Sequence, residues 1–167
     1  MSRLISSPLS TSGTVPPCTL YAMDPAVRRG HVARFRHVAG AFVLDGFTEW
    51  FPGNGPPFGV DLDKDSLLVC EWPRKYRTFS VAHKDLDGLQ RTVKHLERTA
   101  SRSVRKYRVY PSAWKGNVPK KVHHLRVYDA LTPEERGPLG PPLGETYDHN
   151  AYDAVGIGLW AIGRLRR

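Results

Sequence analysis

The chain has 167 residues, 40% of them hydrophobic, and a formal charge of +9, enough for one domain with a core and an anionic partner, nucleic acid before acidic membrane. Glycine and proline interrupt every long apolar run, which excludes a membrane-spanning helix. Two cysteines, Cys18 and Cys70, are too few for a disulfide framework or a thiolate zinc site and read as small core residues in a reducing compartment.

The first 17 residues, rich in Ser, Thr and Pro, have no continuous apolar segment of the secretory kind. They are expected to be a disordered leader before a single domain over residues 18–167. Arg3 and the lack of acids leave a mitochondrial transit peptide as the alternative. The first strand is expected over Thr19–Met23, ending at Asp24-Pro25. A second runs from Gly30 to Val38, without strict alternation at Val32 and Phe35. Gly40 turns the chain into a third, Ala41–Phe47, completing an antiparallel meander. Phe51–Asp65, with its prolines and glycines, is expected to be loop.

Leu67–Cys70 is a short apolar run expected to be a strand buried on both faces, closed by Glu71. A helix follows near Asp85–Arg102, capped by Asp85, with Leu86, Leu89, Val93 and Leu96 inward and Arg91, Lys94, Arg98 and Arg102 outward. Val104–Tyr110 is expected to be the fifth strand. A helix over Lys120–Leu131 should turn Val122, Leu125 and Leu131 inward. Pro133–Gly144 reads as loop, and a last helix covers Asp148–Arg164.

Three acidic places stand out. Asp24 and Glu71 each close an apolar strand, and Asp148, His149 and Asp153 open the last helix. Acids at the ends of buried strands are costly unless paired or bound to a cation. Taken singly, Asp24 reads better as a turn residue; for Glu71 (with Arg74 or Lys75 as surface partner) and Asp153 the alternatives are even. Their joint placement favours a carboxylate cage for divalent metal, held against a polyanion. His149 and Asp153, four apart, share a helix face. Adjacent His123 and His124 read as a solvated or phosphate-contacting pair, and Trp72 and Trp114 as core residues before base-stacking ones. Arg28, Arg29, Arg34, Arg36, Arg74, Lys75 and Arg77 with the basic helix face favour a nucleic-acid surface, which the Arg164–Arg167 tail extends.

The order of elements outlines an α/β ribonuclease-H-like fold, a mixed five-stranded sheet flanked by helices. The residues resemble the RuvC-like Holliday junction resolvases, especially the small phage-type members. Tyr21-Ala22-Met23-Asp24-Pro25 is similar to that family's opening motif, with Ala22 for the usual glycine. Val69–Pro73 is similar to its second acidic motif. Tyr110–Gly116 with Val118–Lys121 is similar to its lysine-bearing segment, and Asp153–Leu159 to its closing helix. The resemblance spans Leu20–Arg164. It departs at the Phe51–Asp65 loop, where a helix is usual, and at Asn150, where an acid or histidine is usual.

This resemblance implies a homodimeric, metal-dependent endonuclease that resolves junctions or branched DNA by paired nicks, in the cytoplasm of a bacterium or phage-infected cell. It implies two Mg²⁺ or Mn²⁺ ions about 4 Å apart across the scissile phosphate, held by Asp24, Glu71, Asp153 and Asp148, with His149 or Asn150 as the alternatives to Asp148. Lys115, Lys120 and Lys121 would contact phosphates or stabilise the transition state, Lys121 as a catalytic candidate. Two alternatives stay open: another ribonuclease-H-like nuclease, acting on RNA–DNA hybrid or replication intermediates, and a non-catalytic nucleic-acid-binding module on the same fold.

Overall fold

The computed structural model describes residues 2–9, 19–59, 62, 66–73, 83–142, 144 and 147–165. Six strands form one mixed sheet: β1 (Arg3–Ile5), β2 (Thr19–Pro25), β3 (Gly30–Val38), β4 (Ala41–Trp50), β5 (Ser66–Glu71) and β6 (Arg105–Val109). Five helices accompany them: α1 (His83–Thr99), α2 (Pro111–Trp114), α3 (Lys120–Ala130), α4 (Pro133–Leu139) and α5 (His149–Ala161). The sheet order is β1-β6-β5-β2-β3-β4. The meander β2–β3–β4 is antiparallel, and β5, β6 and β1 join parallel to β2.

The hairpin between β3 and β4 turns on two residues, Ala39 and Gly40, both at positive φ (50° and 89°). This is the turn geometry that matches strand twist, and Gly40 meets its requirement without strain. The broken alternation around Phe35 has a local cause. Arg34 pairs with Gly46 but Phe35 pairs with Leu44, which leaves Asp45 as an extra residue in β4. The bulge places Asp45 against Arg34 (2.5 Å) and Arg36.

Side chains alternate across the sheet, and the two cores follow from that alternation. Tyr21, Met23, Leu68 and Cys70 pack under α1 with Val93 and Leu96. Leu20, Ala22, Leu67 and Val69 pack with α5, α3 and Trp114 on the other face. Asp24 continues the parity of Leu20 and Ala22, and Glu71 that of Leu67 and Val69. Both acids therefore face α5. Helix α5 is buried along its whole length from Ala151 to Ala161. It lies close on β2 and β3 because Gly158 lets the Phe35 ring approach where a side chain would stand.

Several expectations are corrected. The sheet has six strands, because Arg3–Ile5, read as part of a disordered leader, pairs parallel with β6. Ser2 adds a 2.8 Å hydrogen bond to Glu97, which also holds Arg108 through two bonds of 2.8 and 2.6 Å. Residues 10–18, Cys18 included, lie outside the described residues. Helix α1 starts at His83, so Asp85 sits in its first turn, and it ends at Thr99, which puts Arg102 in the following turn. Helix α5 ends at Ala161, short of Arg164. A 3-10 turn at Pro57–Gly59 interrupts the expected loop.

Pro133–Leu139 is helical, not loop. Thr132 and Glu135 form a reciprocal capping box, and Pro133 stands in the first turn where proline is tolerated. The buried Glu135 also binds Leu44 N (2.6 Å) and both guanidinium nitrogens of Arg164 (2.8 and 2.6 Å). Arg164 thus ties the segment after α5 to β4 and α4 and does not itself extend a basic surface; Arg166 and Arg167 of the expected tail lie outside the described residues. In α3 the expected inward face holds only at its end: Leu131 is buried, but Val122 and Leu125 are exposed, while His123, His124 and Val127 are buried. Of these two histidines, His124 hydrogen-bonds Tyr147 and Asp153, and His123 packs edge-on against Trp114.

Candidate active site

Parallel pairing of β2 with β5 sets Met23 beside Cys70, so the next residues, Asp24 and Glu71, emerge level at the carboxyl ends of adjacent strands. Adjacent strands lie about 4.8 Å apart. Asp153 enters over the same end from the second turn of α5. The three acids feel one another: burial first, then the charges of Glu71 and Asp153, push the Asp24 carboxyl well above its ordinary range. Burial also raises Glu71, against the pull of Lys115 and a hydrogen bond from Trp114.

Asp153 goes the other way. Burial opposes its charge, but a hydrogen bond from His124 with the charges of Lys115 and Lys120 holds it below the ordinary carboxylate range. His124 Nε2 lies 2.9 Å from Asp153 Oδ1. Its Nδ1 meets the Tyr147 hydroxyl, and its ring stacks on Tyr152 at 5.1 Å. Tyr152 in turn donates to Gly140 O at 2.5 Å. A buried chain, Tyr147–His124–Asp153, therefore fixes one carboxylate oxygen, while Lys120 Nζ approaches the other at 3.4 Å.

Glu71 is oriented from α2. Trp114 is buried and donates its indole N–H to Glu71 Oε2 at 2.9 Å, and Lys115 Nζ lies 4.0 Å from the same oxygen. Trp114 and His123 both abut Gly156, where a Cβ would meet the indole at 2.8 Å. Burial lowers the His123 pKa to about 4, so its imidazole is neutral at physiological pH.

The remaining expected residues are placed as follows. Asp148 caps α5, accepting from Asn150 N (2.9 Å) and Ala151 N (3.3 Å), and its other oxygen meets His31 Nε2 at 2.9 Å. His149 is exposed at the start of α5, with its pKa lowered by partial burial and by Lys120. Lys121 is exposed, one residue on from Lys120 and on a different side of α3. Arg28 is exposed, and Arg29 pairs with Glu49 at 2.5 Å. Arg74, Lys75 and Arg77 lie outside the described residues. Trp72 is half-buried beneath Arg108, whose guanidinium sits 3.8 Å from the ring centroid.

The donors suit a hard divalent cation, which prefers carboxylate oxygen. Asp24 has no hydrogen-bond or ion-pair partner among the described residues, and burial and then two neighbouring acids raise its pKa, so a cation there would relieve a cost that nothing else fully offsets. As placed, no three histidine, cysteine, aspartate or glutamate side chains among the described residues enclose an ion. Lys115 and Lys120 stand against Glu71 and Asp153, and a cation would take over their charge compensation.

Trp114, His124 and Tyr147 were not singled out as partners of the acids by sequence. One signal existed: Lys120 and His124 are four apart in a helix and so share the face that meets Asp153.

No family model and no curated protein matches the chain. Among solved structures, RuvC from Thermus thermophilus is similar at 14% identity and a TM-score of 0.48, over 84% of this chain and 91% of that one. T. thermophilus RuvC in complex with a Holliday junction substrate is similar at 17% identity and a TM-score of 0.43, over 84% of this chain and 90% of that one. The fold is mixed α/β, a six-stranded sheet flanked by helices. At such identities the likeness concerns the course of the chain and extends to no residue or substrate. Among the described residues no helix is long and apolar enough to cross a membrane.

Proposed function

We propose that this chain is a metal-dependent endonuclease that nicks branched DNA, with the four-way junction as its substrate and a homodimer as its working form. The observation that carries the reading is the convergence of Asp24, Glu71 and Asp153, from two parallel strands and a helix, on one end of the sheet, with the Asp24 carboxylate unpartnered among the described residues. The substrate and the dimer, like the likeness to phage-type members, come from the sequence motifs around these same acids.

In this reading Asp24, Glu71 and Asp153 hold Mg²⁺ or Mn²⁺. The bound ions would supply a nucleophilic water and stabilise charge on the phosphate. Trp114 orients Glu71, and the Tyr147–His124 chain orients Asp153. Lys115 and Lys120, already beside the acids, are freed by the incoming cation to meet phosphate oxygens. Lys121 and the exposed Arg28 extend that contact outward. Asp148 serves the site by capping α5, the helix that delivers Asp153.

A second reading has its own observation. Because Lys115 and Lys120 offset part of the acidic charge, the fold can be held without metal, as in a non-catalytic binding module. Cleavage of a synthetic four-way junction beside linear duplex, in Mg²⁺, Mn²⁺ or EDTA, separates the two. Paired, metal-dependent nicks in the junction alone, absent in Asp24→Asn, are expected. Junction binding without cleavage under any metal would leave the binding module.

A further inference from the structure

Among the described residues, four acids hold arginines in ion pairs. Glu49 holds Arg29, Asp45 holds Arg34 and Arg36, Glu97 holds Arg108, and Glu135 holds Arg164. Other cations stand away from any acid. One such place is a groove of about 610 Å³ at the β1–β6 edge, lined by Arg3, Arg102, Ser103, Val104, Arg105, Lys106 and Tyr107.

Four of those residues are cations and none is acidic. Among the described residues none of the four makes an ion pair, and Arg3, Arg102 and Arg105 are exposed. Lys106 donates to Ala100 O at 3.1 Å, which fixes its stem along the groove wall. Holding four like charges together in one concavity is unfavourable in the free protein, and an anion relieves it.

The groove is remote from the carboxylates. Arg105 is level with Leu67, four residues before Glu71 on the neighbouring strand, or about 13 Å back along the sheet at roughly 3.3 Å per residue. No phosphate held at Asp24 can also occupy it. A polyanion running from one to the other can, since a nucleic-acid strand presents a phosphate about every 3.4 Å along its axis. Arginine forks suit phosphate oxygens through paired hydrogen bonds.

We propose that the groove formed by Arg3, Arg102, Arg105 and Lys106 is a second nucleic-acid contact, binding the phosphate backbone of a duplex arm that leads away from the carboxylate end. It needs only the nucleic-acid-binding half of the proposed function, not cleavage. It also gives the N-terminal strand a task, because Arg3 reaches the groove only when β1 is paired with β6.

The test uses the full-length chain and a labelled four-way junction in EDTA, with affinity measured by fluorescence anisotropy across a salt series. Arg102→Ala with Arg105→Ala is compared with wild type and with the charge-keeping Arg102→Lys with Arg105→Lys. Loss of two phosphate contacts should make the log–log salt slope shallower by about 1.8 and weaken binding about 60-fold near 0.1 M salt. The lysine pair should keep the slope.

Both positions are exposed, so melting temperature should not change. A slope change below about half a unit, or an equal loss in the lysine pair, would overturn the groove. In that event metal-dependent junction cleavage by wild type would still stand. Conversely, a salt-slope change in a protein that never cleaves would uphold the groove and overturn the nuclease.

Discussion

Replacing Gly158 with alanine tests how closely α5 must lie on the sheet for Asp153 to reach Asp24 and Glu71. In a solvated helix this change would stabilise by about 1 kcal/mol, the propensity difference between the two residues. Here the new Cβ would stand 2.1 Å from Phe35 Cε2, with Cζ and Cδ2 at 2.7 and 2.9 Å. Ordinary van der Waals contact begins at 3.4 Å, so the ring or the helix must retreat by more than 1 Å. Phe35 has no exposed surface, which leaves the ring no solvent to move into. Overpacking of this kind costs about 3 kcal/mol at its upper range. Set against the propensity gain, the net loss is about 2 kcal/mol, or about 4–8 °C in melting temperature for a chain of this size. Thermal unfolding by circular dichroism reads it directly. Phe35→Leu in the same chain should recover part of the loss, giving a coupling energy above about 0.5 kcal/mol. A melting temperature equal to or above wild type would refute the close packing on which the site's geometry depends.

Two further outcomes follow from the acids themselves. Burial and the neighbouring acids raise the folded pKa of Asp24, and a raised carboxyl stabilises fully below its unfolded pKa and loses that contribution as pH rises through the folded one. Asp24→Asn should therefore gain stability over wild type as pH rises from about 4 to 8 in EDTA, and Mg²⁺ should shrink the difference; urea unfolding that shows a flat difference would contradict this. His124→Ala removes a hydrogen bond to a charged partner, worth about 1.5–3 kcal/mol, and should weaken metal affinity or cleavage about 10–100-fold. His124→Asn should recover part, and calorimetric metal titration with no change in either variant would remove His124 from its positioning role.

What the chain order determines by itself is local and periodic. The meander, the doubly buried β5 and the amphipathic α1 are legible because each writes its exposure into residues two or three to four apart. The acids at the ends of β2 and β5 were visible for the same reason, since a charge closing an apolar run has few inexpensive explanations. The capping box at Thr132–Glu135 was equally local and readable, though the prolines and glycines around it pointed to loop.

Other features depend on contacts between residues far apart in sequence. Arg3–Ile5 carries too little apolar surface to be a strand alone and becomes one by completing the hydrogen bonds of β6. His123 and His124 look solvated in sequence but are buried, His123 against the Trp114 ring and Gly156, and His124 with hydrogen bonds to Tyr147 and Asp153. Arg164 looks like a basic tail and is a clasp on Glu135, ninety-one residues beyond the Leu44 N–H that the same carboxylate accepts in chain separation. Which way each acid's pKa moves is likewise decided in three dimensions. Asp24 and Asp153 are the same residue type at the same end of the sheet, yet the pKa of one is raised by burial and then its acidic neighbours, and that of the other is lowered by His124 and two lysines. Composition supplies the charges, and only packing selects which of them are left to meet a ligand.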